Sequence, residues 1–363
     1  LLGANVSLTA TSSDILFSET SASFVDTFSI SSQESGPKGL TFNNDGSKMY
    51  VIGYIGDAVH EYSLSTEFDI SSASFTRSFS ISTQEIYARS VDFNNDGSKM
   101  FVTGIAGDDV NEYTLSTPFN VATASFVDSF SVFSQVYNPN AVDFNNDGTK
   151  MYVARSFTIA EYSLSSAFDV STASHAQTDT LTGMTGFLED FEFNNDGSKL
   201  FISVNGDDAI GEYSLSTNYD ISTASFIDSY STADTGDDQP TPAGLSFNSD
   251  GTKFFVLDNR TKVVGEYTTT SAFDLNQKST INSTGGTRTL TVSASEIEFD
   301  GIVGGSSALG AIGITGALDL DANITNAASL SVSTTSNLAA NVTTTGTQTY
   351  SGAVTLSADN VLT

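Results

Sequence analysis

Apolar and polar side chains alternate along most of this chain, in short runs that are separated by turn residues. Residues 48–52 (KMYVI) and 58–64 (AVHEYSL) are typical of these runs. Alternation with a period of two gives a β-strand one apolar and one polar face, and no segment keeps the 3.6-residue period of an amphipathic helix. The pattern predicts an all-β protein in which helix is nearly absent.

One ten-residue pattern recurs along the chain. Asn-Asp-Gly between two apolar runs predicts a tight hairpin turn, with the glycine at the positive φ that such turns need. Each unit contains four predicted strands, a to d, and four strands in a period of about 50 residues are typical of a β-propeller blade. The pattern reads FNNDGSKMYV at 42–51, FNNDGSKMFV at 93–102, FNNDGTKMYV at 144–153, FNNDGSKLFI at 193–202 and FNSDGTKFFV at 247–256.

The predicted d strands indicate how the ring closes. The first d strand precedes the first a strand, and no comparable d strand follows the last unit. The sequence therefore predicts a five-bladed propeller whose last blade is completed by residues 23–30, which removes a free sheet edge. An open solenoid of five units is the alternative. The d strands are expected at 23–30, 74–81, 125–132, 174–182 and 225–231.

Residues before and after the repeats predict a second β structure. LTATSSDILF at 8–17 is similar to LTVSASEIEF at 290–299. The similarity indicates that the repeats are inserted between two rungs of a repetitive β structure, with chance similarity as the alternative. Beyond the repeats, regularly spaced Leu, Val and Ile favour the stacked strands of a β-solenoid over a disordered low-complexity tail. The predicted organisation is a β lead-in (1–20), the propeller (21–277) and a β-solenoid-like segment (278–363).

The repeat unit resembles the blades of lactonase-like and YVTN-type propellers, whose a–b hairpin reads Pro-Asp-Gly or Asn-Asp-Gly with a Lys two residues later. This resemblance covers the whole repeat region. It implies a propeller but no particular activity, since that superfamily includes enzymes, surface-layer proteins and scaffolds. The stretch TGTQTYSGAVTL at 345–356 resembles repeats of secreted bacterial adhesins of the filamentous haemagglutinin kind. That resemblance implies an extracellular protein of the bacterial cell surface.

The composition narrows the choice of partners. The chain has 43 acidic and 13 basic residues and a formal net charge of −30. A protein of this charge repels nucleic acid and acidic membrane surfaces, so neither is an expected partner. The absence of Cys excludes disulfides, thiolate zinc sites and a cysteine nucleophile. No apolar run is long enough to span a membrane.

The loops of the repeat units fall into two kinds. The a–b turns and c–d loops are nearly identical from unit to unit, whereas the d–a and b–c loops diverge. In a propeller these two sets lie on opposite faces, so we expect the divergent face to bind a ligand. Drift in unconstrained loops is the alternative. The candidate ligand-binding residues are Gln33, Gln84, Tyr87, Gln135, Tyr137 and Asp237.

Aspartates in the turns and loops raise the question of a metal ion. The Asn-Asp-Gly turns lack the alternating ligand spacing of a calcium loop, so turn chemistry explains their aspartates. The Gly-Asp segments of the b–c loops are better candidates for binding Ca²⁺, with solvated turns as the alternative. No other cofactor is expected. The metal candidates are Asp57, Asp108, Asp109, Asp207 and Asp208.

Little in the sequence points to catalysis. Asp92, Asp143 and Glu192 occupy equivalent positions on the predicted innermost strands, where they could hold a cation or polarise a glycosidic bond. The two histidines, His60 and His175, have no evident partner, and no nucleophile elbow, phosphate loop or HExxH motif is present. Glu-Tyr recurs in every c strand, and we expect this Glu to pair with the recurring Lys of strand b rather than to catalyse a reaction. The sequence favours a protein that is not an enzyme.

The expected function is that of an extracellular structural or adhesive protein, a subunit of a filament, sheath or surface layer that displays a propeller. Its terminal β segments would join copies into a homo-oligomer or polymer, since neither segment can bury an apolar face alone. Glycans are the other expected class of partner. The alternatives are a carbohydrate-binding lectin-like head, a propeller hydrolase of glycosidase or lactonase type, and a phage fibre.

Overall fold

Two units make up the chain, and one is inserted into the other. The first consists of Leu1–Ser21 and Gln277–Thr363, and the second of Ala22–Asn276. The helices of the described residues are single 3-10 turns, so no helix found there is long and apolar enough to cross a membrane. The computed structural model describes residues 6–9, 15–16, 22–232, 241–269, 271–275, 289–299, 301–304 and 308–363.

The first two strands, β1 (Val6–Thr9) and β2 (Ile15–Leu16), belong to the first unit.

The second unit is a five-bladed β-propeller, and each blade is an antiparallel sheet of four strands. From the innermost strand outward, the blades are blade 1, with β4 (Pro37–Phe42), β5 (Lys48–Gly53), β6 (Ala58–Leu64) and β7 (Ala73–Ser80); blade 2, with β8 (Ala88–Phe93), β9 (Lys99–Gly104), β10 (Asp109–Leu115) and β11 (Ala124–Ser131); blade 3, with β12 (Ala141–Phe144), β13 (Lys150–Arg155), β14 (Thr158–Leu164) and β15 (Ala173–Thr180); blade 4, with β16 (Phe187–Phe193), β17 (Lys199–Asn205), β18 (Ala209–Leu215) and β19 (Ala224–Ser231); and blade 5, with β20 (Pro242–Phe247), β21 (Lys253–Asp258), β22 (Val263–Thr269) and β3 (Ala22–Ser29).

Strand β3 closes the ring. It pairs antiparallel with β22, with Ala22 opposite Thr269 and Ser29 opposite Val263. The predicted closure is therefore confirmed, and the alternative of an open five-unit solenoid is wrong. All five outermost strands carry a β-bulge opposite the recurring Glu-Tyr pair. Such a bulge disrupts the free edge and protects it from pairing with other chains.

The a–b turns fold as their sequence predicts. Gly46 and its four equivalents have φ between 68° and 71°. Glycine is needed there for two reasons. The backbone is left-handed, and an added Cβ would collide with the ring of Phe68 or its equivalent. Phe68 belongs to the c–d loop, and its N–H donates to the carbonyl of Gly46 at 3.0 Å. These turns and loops form one face, here named the repeated face, and the d–a and b–c loops form the variable face.

Short 3-10 helices end the c–d loops of blades 1 to 4. In each, the Asp or Asn before the helix accepts a hydrogen bond from the N–H two residues later, which caps the helix and fixes the end of the loop. The helices are Ile70–Ser72, Val121–Thr123, Val170–Thr172 and Ile221–Thr223.

The first unit is a parallel β-solenoid, as predicted. Leu290, Ile312 and Leu330 stack in register on successive rungs. Their side chains belong to one buried apolar cluster, so the alternative of a disordered tail is wrong for the described residues. The strands are β23 (Leu290–Phe299), β24 (Leu309–Leu320), β25 (Ile324–Val332), β26 (Ser336–Leu338), β27 (Val342–Thr344), β28 (Gln348–Tyr350) and β29 (Val354–Leu356).

Strands β1 and β2 add a rung to this solenoid by pairing in parallel with β23. The propeller is thus inserted between two rungs, as the similarity of 8–17 and 290–299 indicates. Ile15 lies opposite Ile297 in the predicted register, whereas Leu8 lies opposite Val292 rather than Leu290. A shift of two residues keeps the strand alternation in phase, because side chains repeat every second position.

Candidate functional site

The repeated face is used to join the blades. The recurring Lys of strand b pairs with the recurring Glu of strand c within its own blade, as the sequence predicts. The pairs and their Nζ–Oε1 distances are Lys48–Glu61 (3.1 Å), Lys99–Glu112 (2.7 Å), Lys150–Glu161 (2.8 Å), Lys199–Glu212 (2.6 Å) and Lys253–Glu266 (2.7 Å).

This Lys–Glu pair also reaches the next blade. In blade 2, Lys99 Nζ donates to the carbonyl oxygen of Phe168 at 2.6 Å, and Glu112 Oε2 accepts from the N–H of Val170 at 3.0 Å. The pair in blade 5 makes the same contacts with the c–d loop of blade 1, which completes the circle. Each buried carboxylate is therefore both ion-paired and hydrogen-bonded, the arrangement that makes a buried charge tolerable.

A second set of links on the repeated face runs from blade 1 to blade 5 and consists of side-chain amides. The second Asn of an a–b turn donates to the backbone carbonyl of the equivalent residue in the next blade. From the sequence these residues are explained by turn chemistry alone and the link between blades is not predicted, although their recurrence is a signal for it. The donors and acceptors are Asn44 to Asn95 (2.5 Å), Asn95 to Asn146 (2.6 Å), Asn146 to Asn195, and Asn195 to Ser249 (2.6 Å).

The innermost strands surround a channel that widens into a cavity of about 500 Å³ at the repeated face. The predicted acids Asp92, Asp143 and Glu192 all line this channel. Asp190 lines it as well and is missed by the sequence analysis. Its signal is its position two residues before Glu192, since residues two apart share one face of a strand.

The channel acids bond the innermost strands together. Backbone N–H groups on the channel side of an innermost strand lack a strand partner, and carboxylates of the preceding blade accept from them. The bonds are Phe193 N–H to Asp143 Oδ2 (3.2 Å), Leu245 N–H to Asp190 Oδ2 (3.0 Å) and Phe247 N–H to Glu192 Oε2 (3.0 Å).

Burial perturbs the titration of these acids. It raises the pKa of Asp143 to about 7. Burial, together with the charges of neighbouring acids, raises the pKa of Asp92, Asp190 and Glu192 well above the ordinary carboxylate range. The channel therefore takes up protons at a higher pH than exposed carboxylates do.

A charged cluster lies at the variable-face end of the innermost strands. Glu189 Oε2 is 3.2 Å from Lys38 Nζ and 3.5 Å from Arg89 Nη1, and the three residues come from three blades. The sequence does not predict this cluster. Each member sits at a register shift between strands a and b, so it falls outside the period-two pattern.

The predicted ligand-binding residues lie on the variable face and fall into two groups. Tyr87 and Tyr137 project into solvent with 50% and 57% of their surface exposed. The three glutamines instead accept a hydrogen bond from a buried tyrosine. Asp237 lies outside the described residues, and ligand binding by the others stays a prediction. The glutamine Oε1 contacts are Gln33 with Tyr62 (3.4 Å), Gln84 with Tyr113 (3.5 Å) and Gln135 with Tyr162 (3.4 Å).

Further apolar side chains are exposed on the same face. Phe133 and Phe187 are each 62% exposed, and Ile55 is 55% exposed. These three residues are not predicted from the sequence as binding residues, although Phe133 stands where two other d–a loops have Ser. The variable face therefore carries an exposed aromatic surface around its loops.

Three of the five metal candidates, Asp57, Asp108 and Asp207, accept hydrogen bonds between loops. Asp57 Oδ1 accepts from the N–H of Tyr87 at 3.0 Å, and Asp207 Oδ2 accepts from that of Thr185 at 2.6 Å. Across the described residues, no group of three or more His, Cys, Asp or Glu side chains is arranged to hold a metal ion. Cation binding by these loops stays a prediction. The remaining candidates are Asp108, which accepts from Asn138 N–H, Asp109, which accepts from the Asn111 amide (2.7 Å), and Asp208, which has a positive φ of 53°.

Both histidines have polar neighbours that the sequence did not reveal. His60 Nδ1 lies 2.9 Å from Ser78 Oγ, and its Nε2 lies 3.8 Å from Glu34 Oε2. His175 Nε2 lies 2.8 Å from the hydroxyl of Thr178. Neither histidine lines the channel cavities, so neither is placed to exchange protons with the channel acids there.

No family model matches the chain. No curated protein matches it either. Similar solved structures include hydrazine synthase of Kuenenia stuttgartiensis, at 15% identity over 62% of this chain and 56% of that chain with a TM-score of 0.39. A proposed 6-phosphogluconolactonase of Bacteroides uniformis is 16% identical over 63% of this chain and 65% of that chain, with a TM-score of 0.40. A Lactobacillus plantarum protein is 14% identical over 64% of this chain and 67% of that chain, with a TM-score of 0.41.

Likenesses this weak say nothing about activity, and the aligned region spans little more than half of the hydrazine synthase chain. The five-bladed fold rests on the strand pairing of the protein itself.

Proposed function

We propose that the propeller binds a saccharide at its variable face and that the protein is an extracellular structural or adhesive protein rather than an enzyme. The supporting observation is the set of exposed aromatic side chains there: Tyr87, Phe133, Tyr137 and Phe187 are 50–62% exposed. An aromatic ring packs well against the apolar C–H face of a sugar ring, while polar groups beside it bond the hydroxyls. Large exposed apolar groups in one region of a protein mark an interaction site.

A glycan array with the native protein tests this proposal. Glycans that bind should lose at least about tenfold in affinity in Phe133→Ala or Phe187→Ala, since a well-packed aromatic contact contributes more than 1 kcal/mol. Phe75→Ala is the matched control, because Phe75 is 44% exposed but lies on an outermost strand. Absence of any glycan binding, or equal losses in all three variants, would overturn the proposal.

We further propose that copies associate through the solenoid. Its last described rung exposes Val354, Leu356, Val361 and Leu362, each 40–56% accessible. A rung from a second copy would cover these side chains and pair with the strands beneath them. Analytical ultracentrifugation should show association that rises with concentration and is lost in a Leu356→Ser, Val361→Ser double variant. A monomer at every concentration would contradict assembly. Antibody labelling of intact source cells would test the extracellular location.

A glycosidase-type hydrolase is the second candidate. The observation in its favour is that Asp92 and Asp143 share one cavity and have raised pKa values, as catalytic acids often do. Incubation of the bound glycans with native protein and with Asp143→Asn decides between the two. Product formed only by the native protein would establish the hydrolase, and no product from either leaves saccharide binding without catalysis.

A further inference from the structure

Blade 3 departs from blades 1 and 2 at one place on the variable face. In blades 1 and 2, a buried carboxylate of the d–a loop holds the b–c loop. Glu34 accepts two backbone N–H groups at 2.7 and 2.9 Å, and Glu85 accepts two at 3.0 and 3.1 Å. The equivalent residue in blade 3 is Val136, and the b–c loop there is shorter. Blade 3 therefore lacks the internal carboxylate.

The residue opposite this carboxylate changes with it. In blades 1 and 2 it is Gly53 or Gly104, and an added Cβ would lie only 2.6 or 2.7 Å from the carboxyl carbon of the glutamate. In blade 3 the equivalent residue is Arg155. The same site thus has an acid and a glycine in two blades, and an apolar residue and a cation in the third.

Arg155 is held in place without an acid. Its Cζ lies 4.3 Å from the centre of the Tyr137 ring, and its Nη1 donates to the carbonyls of Tyr137 and Asn138, both at 3.1 Å. No carboxylate of the described residues forms an ion pair with it, although the chain contains 43 acidic residues. The recurring lysines, by contrast, all pair with glutamates. Among the described residues, no acceptor hydrogen-bonds to the Nε or Nη2 of Arg155.

The surroundings of Arg155 form a cavity of about 210 Å³ between the d–a and b–c loops. This volume is below the roughly 300–1,000 Å³ of sites for drug-sized ligands, so it suits one ring of a larger molecule. Its walls are fixed: Val136 N–H donates to the carbonyl of Val132 at 2.8 Å, and Gln135 accepts from a buried tyrosine. Polar groups of Ser156 and Thr158 complete the lining.

We propose that this cavity binds the carboxylate-bearing ring of an acidic saccharide, a hexuronate residue, with the carboxylate on Arg155 and the ring beside Tyr137. The planar guanidinium matches a carboxylate with two parallel hydrogen bonds, and an exposed aromatic ring supports the sugar. The inference rests on the proposed saccharide binding and adds the class of sugar and its place. It does not depend on the channel acids.

Calorimetric titration with oligogalacturonates and oligoglucuronates, each beside its methyl ester, tests the inference. The native protein should prefer the free acid to the ester by at least about tenfold, and higher salt should weaken the preference. Arg155→Gln should remove the preference, and Arg155→Lys should keep part of it because one charge remains. Lys262→Gln is the control, since it removes one charge from a b–c loop of the same face. Equal thermal midpoints would show that the variants are folded.

The outcomes separate this inference from the function on which it rests. Loss of acid preference in Arg155→Gln but not in Lys262→Gln supports the acidic-sugar site. Equal binding of free acid and ester by the native protein, or unchanged preference in Arg155→Gln, overturns it while leaving saccharide binding intact. Failure of every acidic and neutral glycan to bind overturns both.

Discussion

The two faces of the propeller are made from the same five units, yet they are held in different ways. On the repeated face, Lys99 and its four equivalents each donate to a backbone carbonyl of the next blade, and Glu112 and three of its equivalents each accept a backbone N–H from the next blade. On the variable face, the b–c loops are braced by Glu34 and Glu85 in two blades, by Arg155 in the third and by Asp258 in the fifth. The residues are identical where each blade contacts the same surface of the next blade. They differ where a loop can be held by any of several hydrogen-bonding side chains.

Among the polar contacts, the largest effect should come from breaking one Lys–Glu pair. Glu112→Ala removes the ion-pair partner of Lys99 and the acceptor of the Val170 N–H, so the free energy of unfolding should fall by about 3 kcal/mol. Urea unfolding followed by tyrosine fluorescence measures it. Glu67→Ala is the matched control on an exposed c–d loop, expected within about 0.5 kcal/mol of native. Similar losses in both variants would contradict the role given to the pair.

The next effect is a dependence of stability on pH. The pKa of Asp143 is raised to about 7 by burial, so its contribution to stability is lost as pH rises through 7 and regained as pH falls toward its ordinary 3.8. The pKa of Asp45 and of its equivalents is lowered by hydrogen bonds from the Ser or Thr two residues later. Their stabilisation is lost only as pH falls below the ordinary carboxylate range. The protein should therefore be more stable near pH 5.5 than near pH 8.

The variant Asp143→Asn separates the contribution of the channel acids to this pH dependence from the contribution of the net charge. It should reduce the difference in unfolding free energy between about pH 5.5 and pH 8 by at least about 1 kcal/mol, since one raised pKa unit corresponds to 1.36 kcal/mol. Asp128→Asn removes the same charge from an exposed outermost strand and should leave the difference unchanged. If both variants changed this difference equally, the effect would come from the net charge of the protein rather than from the channel.

A smaller loss should follow from removing one hydroxyl on the repeated face. Tyr152 Oη donates to the carbonyl of Tyr219 in the next blade at 2.6 Å. Tyr152→Phe should lower the free energy of unfolding by about 1 kcal/mol, the usual contribution of one hydrogen bond. The fold accepts the change, because Phe101 and Phe201 occupy the equivalent position in other blades. Tyr137→Phe on the variable face should cost nothing measurable, and a loss there as large as in Tyr152→Phe would contradict the comparison.

The smallest effect on stability is expected from the exposed aromatics of the variable face. Phe133→Ala should stay within about 0.5 kcal/mol of the native protein, since Phe133 is 62% exposed. Phe144→Ala, the same change beneath the repeated face, should cost about 3–5 kcal/mol because that ring is buried against Phe101 and Phe168. Thermal unfolding of both variants checks the contrast. A marked loss in Phe133→Ala would give that ring a structural rather than a binding role.

The sequence predicts those features that repeat. Recurrence of Glu-Tyr and of Lys48 and its equivalents predicts the ion pairs, and the position of residues 23–30 predicts closure. Equivalent positions also place Asp92 and Asp143 in one channel. Each of these predictions comes from comparing one repeat unit with the others, so the same contact is indicated by equivalent residues in several units.

The sequence fails where a feature occurs once. Lys38 and Glu189 are 151 residues apart, come from different blades and sit at register shifts, so no local pattern joins them. Arg155 and Val136 stand where blades 1 and 2 have a Gly and a Glu. The two replacements can be related to each other only because the structure shows that the Gly and the Glu lie close together in blades 1 and 2.

Hydrogen–deuterium exchange of the native protein tests the difference between the faces most directly, because it needs no ligand and no variant. The amides that donate to the recurring glutamates, such as those of Val121 and Val170, should exchange slowly and together, as parts of the closed ring. Peptides covering the variable loops at 54–57, 105–108 and 133–138 should exchange faster on average, since only some of their amides, such as those of Gly56 and Gly107, donate to a buried carboxylate. If the c–d loops exchanged as fast as the variable loops, the Lys–Glu pairs would not be what holds the ring, and the division of the propeller into a structural and a binding face would be wrong.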